Sequence, residues 1–327
     1  MNQEKNDELY LGIDVGGTKC AVVLADGAFH ILDKITFPTR TAERGWREVL
    51  AEFILHARGL LRRHGRGHLK RVGISCGGPL DSRAGIIYSP PNLPGWDAVP
   101  VVKIFEEALG VPVLLQNDAN AGALAEWMMG AGKGTRNMIF LTFGTGMGSG
   151  LILDGRLYAG TNDLAGEVGH VRMADDGPVG FNKAGSFEGF CSGGGIARLG
   201  EKKARELLAR GEKVSFLPGN GDPAAITAKD VFEAARKGDN AALEIVRVSS
   251  EYLGKGLAIL IDVLNPECIV IGSIFARNEA MIRPHMERVL RREAIPAALE
   301  VCRIVPAALG ESIGDYAALS VAMQEEQ

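Results

Sequence analysis

Residues 11–27 read LGIDVGGTKCAVVLADG, and residues 139–155 read IFLTFGTGMGSGLILDG. The two stretches align without a gap, and each has an apolar run, a glycine and threonine turn, a second apolar run and a closing Asp-Gly. The matched positions are Asp14 with Thr142, Gly16 with Gly144, Asp26 with Asp154 and Gly27 with Gly155. Asp-Gly between apolar runs is a strong hairpin signal. The repeat predicts two duplicated halves that face each other across a cleft.

The glycines of the second stretch alternate from Gly144 to Gly150, which is typical of a loop that brings backbone N–H groups close to phosphate. Gly144, Gly146 and Ser149 also come close to the G-x-G-x-x-G/A spacing of a dinucleotide-binding turn. That turn must open a helix, whereas the residues after Gly150 read LILDGRLY and have strand character. The pattern therefore predicts a glycine turn between two antiparallel strands, not a dinucleotide-binding fold.

Strand-like apolar runs alternate with segments of helical spacing along the rest of the chain. The predicted helices cover 43–64, 119–132, 241–264 and 314–325, and the predicted strands cover 71–75, 111–118, 266–273 and 302–306. This alternation indicates the α/β class, with a mixed β-sheet in each half.

Composition excludes several classes of protein. The 327 residues carry a net charge of −4, which gives no basic surface for nucleic acid or an anionic membrane. The five cysteines are far apart, without C-x-x-C spacing, and the first ten residues, MNQEKNDELY, lack an apolar core typical of a signal peptide. No apolar run approaches the roughly 18 residues of a membrane span. We expect a cytoplasmic protein with reduced thiols and with neither a nucleic-acid nor a membrane partner.

The hexapeptide DVGGTK at 14–19 is the most specific local motif. Asp14 ends a predicted buried strand, where a carboxylate is costly unless it binds something. Gly16, Gly17 and Thr18 offer N–H and hydroxyl donors to phosphate oxygens, and Lys19 adds positive charge. The alternative is that Asp14 caps its own turn and Lys19 lies in solvent.

A chain of motifs resembles the ROK family of bacterial sugar kinases and sugar-responsive repressors. The motifs are DVGGTK at 14–19, PPNLPGW at 90–96, NDANAGALAEW at 117–127, FGTGMGSG at 143–150, GEVGH at 166–170 and NPECIVIGS at 265–273. The resemblance implies a duplicated actin/hexokinase-like (ribonuclease H-like) fold with a cleft between two domains. These domains would comprise residues 1–128 plus 312–327 and residues 129–311, each with a mixed β-sheet flanked by helices.

The resemblance also implies an ATP-dependent kinase that transfers the γ-phosphate to a hydroxyl of a hexose or N-acetylhexosamine, with Mg²⁺ carried by the nucleotide. Asp118 would be the general base, although an aspartate there also suits a helix N-cap. The implied sugar-binding residues are Asn92, Asn117, Asp118, Glu167, His170 and Glu188. The implied nucleotide-binding residues are Asp14, Gly16, Gly17, Thr18 and Lys19 in the first turn, Gly144, Thr145 and Gly146 in the second, and Gly272 and Ser273 behind the adenine. A homodimer is the usual family assembly.

The chain departs from the family where most members have three zinc-binding cysteines. Val179, Phe181 and Ser186 occupy those positions, and Asn182 replaces a glycine of the same motif. Only His170 of the zinc ligands remains, so we predict no structural zinc, since such a site needs about four N or S ligands. Phe181 is expected to form a small apolar cluster with Phe187 and Phe190 in its place.

Two other functions compete with a kinase. A sugar-binding protein that has lost catalysis is one, against which the retained Asp118 and both glycine turns count. A DNA-binding repressor is the other, but only thirteen residues precede Asp14, too few for a helix-turn-helix domain. The choice of sugar depends on the loops at 76–96 and 177–195.

Overall fold

The computed structural model describes residues 8–65 and 68–324. The charged N-terminal heptapeptide and the last three residues, which form the outer ends of the predicted domains, lie outside the described residues. None of the helices in the described ranges is long and apolar enough to cross a membrane.

The first half of the chain contains antiparallel hairpin strands and parallel strands, with helices between them. Its strands are β1 (Glu8–Val15), β2 (Lys19–Asp26), β3 (Ile31–Pro38), β4 (His68–Cys76), β5 (Leu80–Asp81), β6 (Ile86–Ile87) and β7 (Val113–Asn117). Its helices are α1 (Trp46–Arg63), α2 (Val101–Leu109) and α3 (Asp118–Met128). Every second residue of β1 (Leu9, Leu11 and Ile13) points to one apolar core, to which α1 and α2 also contribute side chains.

The second half repeats this plan and adds helices. Its strands are β8 (Met138–Leu141), β9 (Ser149–Leu153), β10 (Arg156–Leu157), β11 (Val179–Gly180), β12 (Lys183–Ala184), β13 (Cys268–Ile271) and β14 (Arg303–Pro306). Its helices are α4 (Phe187–Phe190), α5 (Gly193–Ala209), α6 (Ala228–Arg236), α7 (Asn240–Leu264), α8 (Ser273–Glu293), α9 (Pro296–Val301) and α10 (Ile313–Met323). Short 3₁₀ helices cover Val168–His170, Pro223–Ala225 and Gly310–Ser312.

The two five-stranded sheets have the same topology. The first has the order β3-β2-β1-β4-β7 and the second β10-β9-β8-β13-β14. In each, the first three strands of the half are antiparallel neighbours and the remaining pairings are parallel. Both glycine turns join antiparallel strands, which confirms the predicted duplication and excludes the dinucleotide-binding alternative.

The two Asp-Gly signals give different hairpins. Asp154 and Gly155 form a two-residue turn in which both residues have positive φ. Asp26 instead ends β2 and opens a longer loop, because its carboxylate accepts the N–H groups of Ala28 and His30 at 2.9 and 3.0 Å. The side chain of the aspartate therefore sets the loop length in the first half.

Two helices lie between the sheets, and each packs beyond the half of the chain from which it emerges. Helix α3 follows β7 of the first sheet, but its Ala121, Leu124 and Ala125 pack on β8, β9 and β13 of the second sheet. Helix α10 follows β14 of the second sheet, but its Leu319 packs on the alanine and valine face of β2. The predicted domain boundaries at residues 128 and 312 fall at the ends of these two helices and stay a prediction.

Candidate active site

A cavity of about 350 Å³ opens between the C-terminal ends of β1 and β8. Asp14 lies near the end of β1, Asp118 begins α3, and Thr142 directly follows β8. Gly272 and Ser273, which follow β13, complete the second wall. The C-terminal ends of corresponding strands thus converge on one cavity, which is where α/β folds place their ligands.

Asp14 is a carboxylate with little compensating charge. Burial, the strongest influence, acts with the neighbouring carboxylates of Asp315 and Asp118 to raise the pKa of Asp14 to about 7. Lys34 partly opposes this effect, but its Nζ donates to Asp315 Oδ2 at 2.6 Å. An anionic group in the cavity would therefore need an accompanying cation beside Asp14.

Asn117, not Asp118, is the N-cap of α3. Asn117 has extended dihedral angles, and its Oδ1 accepts the N–H of Asn120 at 2.7 Å. The alternative role of Asp118 as the helix cap is therefore wrong. Because the side-chain oxygen of Asn117 accepts this hydrogen bond, its amide N–H groups are the part of the side chain that can bind a ligand.

Asp118 occupies the first position of the helix and lines the cavity. Asp118 is exposed to the cleft, but the protein packed around its carboxyl desolvates the charged form, and this raises its pKa above the usual range. The N–H of Ala119 donates to its Oδ1 at 2.8 Å and partly opposes the rise. A carboxylate that is enclosed but accessible from the cleft is suited to accept a proton from a ligand.

The second glycine turn is held rigidly from three sides. The N–H of Gly148 donates to Thr142 Oγ1 at 3.0 Å, and the N–H of Gly144 donates within the turn to Gly146 O at 3.0 Å. Helix α5 holds the turn as well, since the N–H of Gly193 donates to Gly144 O at 2.7 Å. Of the three nucleotide-binding residues predicted in this turn, Gly144 therefore uses its N–H group inside the turn. In the described parts of the chain no acceptor takes the N–H groups of Thr145 and Gly146.

The first glycine turn is fixed by Thr39. Its fully buried hydroxyl donates to Gly16 O at 2.6 Å, and its N–H donates to Thr18 O at 3.0 Å. Across residues 8–65 and 68–324, nothing accepts the N–H groups of Gly17 and Thr18. Both turns thus present free backbone donors on a fixed backbone, which is the arrangement that binds phosphate.

A second cavity, of about 520 Å³, adjoins the first at Ser273 and Arg277. Gly144 and Thr145 line one side of it, and Thr227 of the α6 N-terminus lines another. The two cavities together form a continuous cleft with a carboxylate-lined end and an open end. Its shape suits an elongated ligand such as a nucleotide, whose base would lie beyond Ser273.

Three of the predicted sugar-binding residues form a group, and one of them, Glu167, neighbours Asp118. The pKa of Glu167 is raised by burial and by the neighbouring carboxylates of Asp118 and Glu188, and the imidazole of His170 lowers it. Glu188 also reaches the second glycine turn, where its Oε2 accepts the N–H of Met147 at 3.1 Å. Acceptors and a ring nitrogen grouped in this way can bind several hydroxyl groups at once.

Asn92 lies next to the first glycine turn. Its carbonyl oxygen is so close to Gly17 that a Cβ there would lie 2.6 Å away. Its side-chain Oδ1 is 3.3 Å from the corresponding position at Gly77. Asn92 is exposed, as are Thr18 and Lys19, so these predicted residues are available to a ligand.

The segment that lacks the cysteines forms a β-hairpin. Val179 pairs with Ala184 across a turn at Phe181 and Asn182, both of which have positive φ. Ser186 is fully buried, and its Oγ donates to Gly180 O at 3.3 Å. Valine and phenylalanine carry no metal-binding atom, and the Ser186 hydroxyl is already hydrogen-bonded to Gly180, so these residues do not fit a structural zinc ion.

The expected cluster of three phenylalanines is wrong for Phe181. Phe187 and Phe190 are buried, and Phe190 stacks on Tyr252 with ring centroids 3.5 Å apart. Phe181 is 70% exposed because it sits at the hairpin tip, where its ring meets the ring of His170 edge-on at 6.0 Å. Lys183 Nζ also donates to the carbonyl of His170 at 2.7 Å. Aromatic and hydrogen-bond contacts hold the histidine to the hairpin.

Thr142 and Arg277 are among the cleft residues that were not predicted as site residues. Thr142 matches Asp14 in the internal repeat, so the repeat itself was a signal that could have found it. Arg277 lines both cavities, and its Nη2 donates to Ser273 Oγ at 2.9 Å. No motif marks it, because its place depends on where α8 packs.

Comparisons with known proteins identify one family, and the matches cover almost the whole chain. The model of the ROK family matches residues 10–325. The glucokinase of Halalkalibacterium halodurans is 34% identical over 319 residues, which cover 94% of this chain and 93% of that protein. The N-acetylmannosamine kinase of Escherichia coli (strain 55989) is 30% identical over 294 residues, with 89% and 90% covered. A solved ROK family glucokinase from Streptomyces griseus, in complex with glucose and AMPPNP, has a TM-score of 0.75 at 28% identity, with 97% and 100% covered.

Proposed function

Since this chain belongs to the ROK family and has the duplicated actin/hexokinase-like fold, we propose that it is an ATP-dependent sugar kinase. The substrate class is a hexose or N-acetylhexosamine, in line with the glucokinase and N-acetylmannosamine kinase relatives. One observation carries the proposal. The Asp118 carboxylate lines one cavity with Asp14 and Thr142, the residues that precede the two glycine turns. It also neighbours Glu167, which forms a polar cluster with His170 and Glu188.

In this proposal Asp118 is the general base of an in-line phosphoryl transfer. The sugar hydroxyl gives its proton to the carboxylate while its oxygen bonds to the γ-phosphorus. The bond from that phosphorus to the bridging oxygen breaks, and its electron pair leaves with ADP. Free N–H groups of Gly17, Thr18, Thr145 and Gly146 hold phosphate oxygens in place, and the polar cluster orients the hydroxyl.

Mg²⁺ would enter with the nucleotide. Among the described residues no group of three or more His, Cys, Asp or Glu side chains is arranged to hold a metal ion. Phosphate oxygens and water therefore have to supply most ligands, as is common for this ion. The poorly compensated Asp14 fits a cation beside the phosphates, where the ion would neutralise charge that develops during transfer.

We also propose a cytoplasmic homodimer. An exposed apolar surface on the second half supports a second copy as partner. Ile259 and Val263 are one turn apart on α7, and Ile295 lies beside them, because its N–H donates to Asp262 Oδ1 at 2.9 Å. Contiguous exposed apolar residues of this kind mark contact surfaces.

The function is tested by ADP release from Mg·ATP over a panel of hexoses and N-acetylhexosamines. We expect turnover with at least one sugar, and a fall in kcat of about 10²–10⁴ in Asp118→Asn, the contribution of a general base. Asp154→Asn is the matched control, since Asp154 is 85% exposed in its hairpin and asparagine tolerates its positive φ.

The outcomes separate the candidates. Equal loss in both variants would assign the effect to folding and not to the base. Absence of turnover with every sugar, while sugars still raise Tm, would overturn the kinase and favour the sugar-binding alternative.

A further inference from the structure

Glu126 is a fully buried glutamate in the last turn of α3, eight residues after Asp118. Its carboxylate accepts three backbone N–H groups. Oε2 accepts from Ala131 at 2.8 Å and from Ala308 at 3.2 Å, and Oε1 accepts from Leu309 at 2.9 Å. Hydrogen bonds to a buried charged acceptor are among the stronger ones in proteins.

The three donors belong to the two segments that connect the halves. Residues 129–137 lead from α3 to β8, and residues 307–312 lead from β14 to α10. We call these segments the first and the second crossing. Ala131 lies in the first crossing, and Ala308 and Leu309 lie in the second. We propose that Glu126 is a positioning residue that joins both crossings and so fixes the hinge about which the cleft closes.

The hinge and the cleft are mechanically connected. Ala307 and Gly310 of the second crossing line the cavity that Asp118 also lines. Asp118 and Glu126 are at opposite ends of one helix, so in this proposal the contacts of Glu126 set the position of the base relative to the second crossing. The effect on turnover rests on the proposed kinase function, whereas the joining of the crossings does not.

Gly130 shows that the chain makes room for this contact. The side chain of Glu126 folds back over Gly130, where a Cβ would lie 2.0 Å from Oε2. Gly130 has no positive φ, so its backbone would accept another residue. Its lack of a side chain is explained by the carboxylate, and Gly130→Ala displaces that carboxylate without altering its chemistry.

The test compares Glu126→Gln and Gly130→Ala with Glu267→Gln. Glu267 is the matched control, because its Oε2 also accepts two backbone N–H groups, those of Arg136 and Asn137, but contacts only one crossing. In both Glu126-directed variants we expect hydrogen exchange to accelerate at least about tenfold in peptides from both crossings. In the control we expect acceleration in the first crossing alone.

Catalysis gives a second readout that a purely structural role would not move. We expect kcat to fall about tenfold in Glu126→Gln, with the KM for sugar changed little. We also expect sugar to change the fluorescence of Trp127, whose Nε1 donates to Thr135 O of the first crossing at 2.7 Å, and we expect this change to be smaller in Glu126→Gln.

Unchanged exchange in the second crossing of a folded variant would overturn the proposal, and so would a kcat loss equal to that of Glu267→Gln. If Glu126→Gln does not fold, Gly130→Ala decides. If the wild-type protein phosphorylates no sugar, the proposed function fails, but exchange still shows whether Glu126 joins the crossings.

Discussion

Asn117 caps α3 and leaves Asp118, the next residue, facing the cleft. The sequence places both at the end of a strand, and either side chain suits a cap. The choice is made by the backbone, because Asn117 keeps the extended dihedral angles of β7 and Asp118 already begins the helix. That step of one residue could not be predicted from the sequence, since it depends on where the helix starts.

Asp14 is expected to lower the stability of the free protein at neutral pH. Its pKa is about 7 in the folded chain against 3.8 in the unfolded one, so the folded state holds more protons between these values and loses stability as pH rises through them. We expect Asp14→Asn to remove this loss. The variant should be more stable by about 1–4 kcal/mol above pH 7 and similar to the wild type near pH 4.

Urea denaturation at several pH values measures the difference. Asp33→Asn is a control of opposite sign, since hydrogen bonds from Arg63 and His64 lower the pKa of Asp33. Its stabilisation is present above the unfolded pKa and lost in acid, so the variant should be less stable at neutral pH. A pH-independent gain in Asp14→Asn would contradict our account of Asp14.

The β11–β12 hairpin holds the His170 segment by packing and hydrogen bonds. Arg172 Nη1 donates to Ala184 O at 2.9 Å, beside the contacts made by Phe181 and Lys183. We therefore expect incubation with a zinc-selective chelator, removed before the assay with Mg·ATP, to leave Tm and kinase activity unchanged. A fall in Tm, together with release of stoichiometric zinc measured by atomic absorption, would show that other ligands replace the cysteines.

Elements governed by local sequence were well predicted, and long-range contacts were not. The helix predicted over 241–264 is observed at Asn240–Leu264, and the closing helix predicted over 314–325 is observed at Ile313–Met323. Helix α8 was not predicted, and Pro284 lies inside it. The donors to Glu126 in the second crossing are 182 and 183 residues away, and they are backbone groups, which leave no mark in a sequence.

The sheets share a central layer of two helices, which makes the molecule one cooperative unit. Gly73 of β4 shows how closely α10 fits the first sheet, because a Cβ there would lie 2.3 Å from Ala318 O. On its other side α10 contributes Ala317 and Val321 to the core of the second sheet.

We expect a single unfolding transition by calorimetry, with equal calorimetric and van't Hoff enthalpies. Gly73→Ala should lower the stability of the whole chain by about 1–3 kcal/mol without splitting that transition. Two separate transitions in the wild type would mean that each half is stable without the shared layer.

The place of α10 also has a consequence during synthesis. The first sheet is complete in sequence once β7 has been made, yet the helix that covers one of its faces is encoded about 200 residues later. Until residues 313–323 have left the ribosome, the alanine and valine face of β2 remains uncovered. Nascent chains of this protein are therefore exposed to aggregation from the synthesis of β7 to that of α10, and we expect a holding chaperone to bind them until α10 docks.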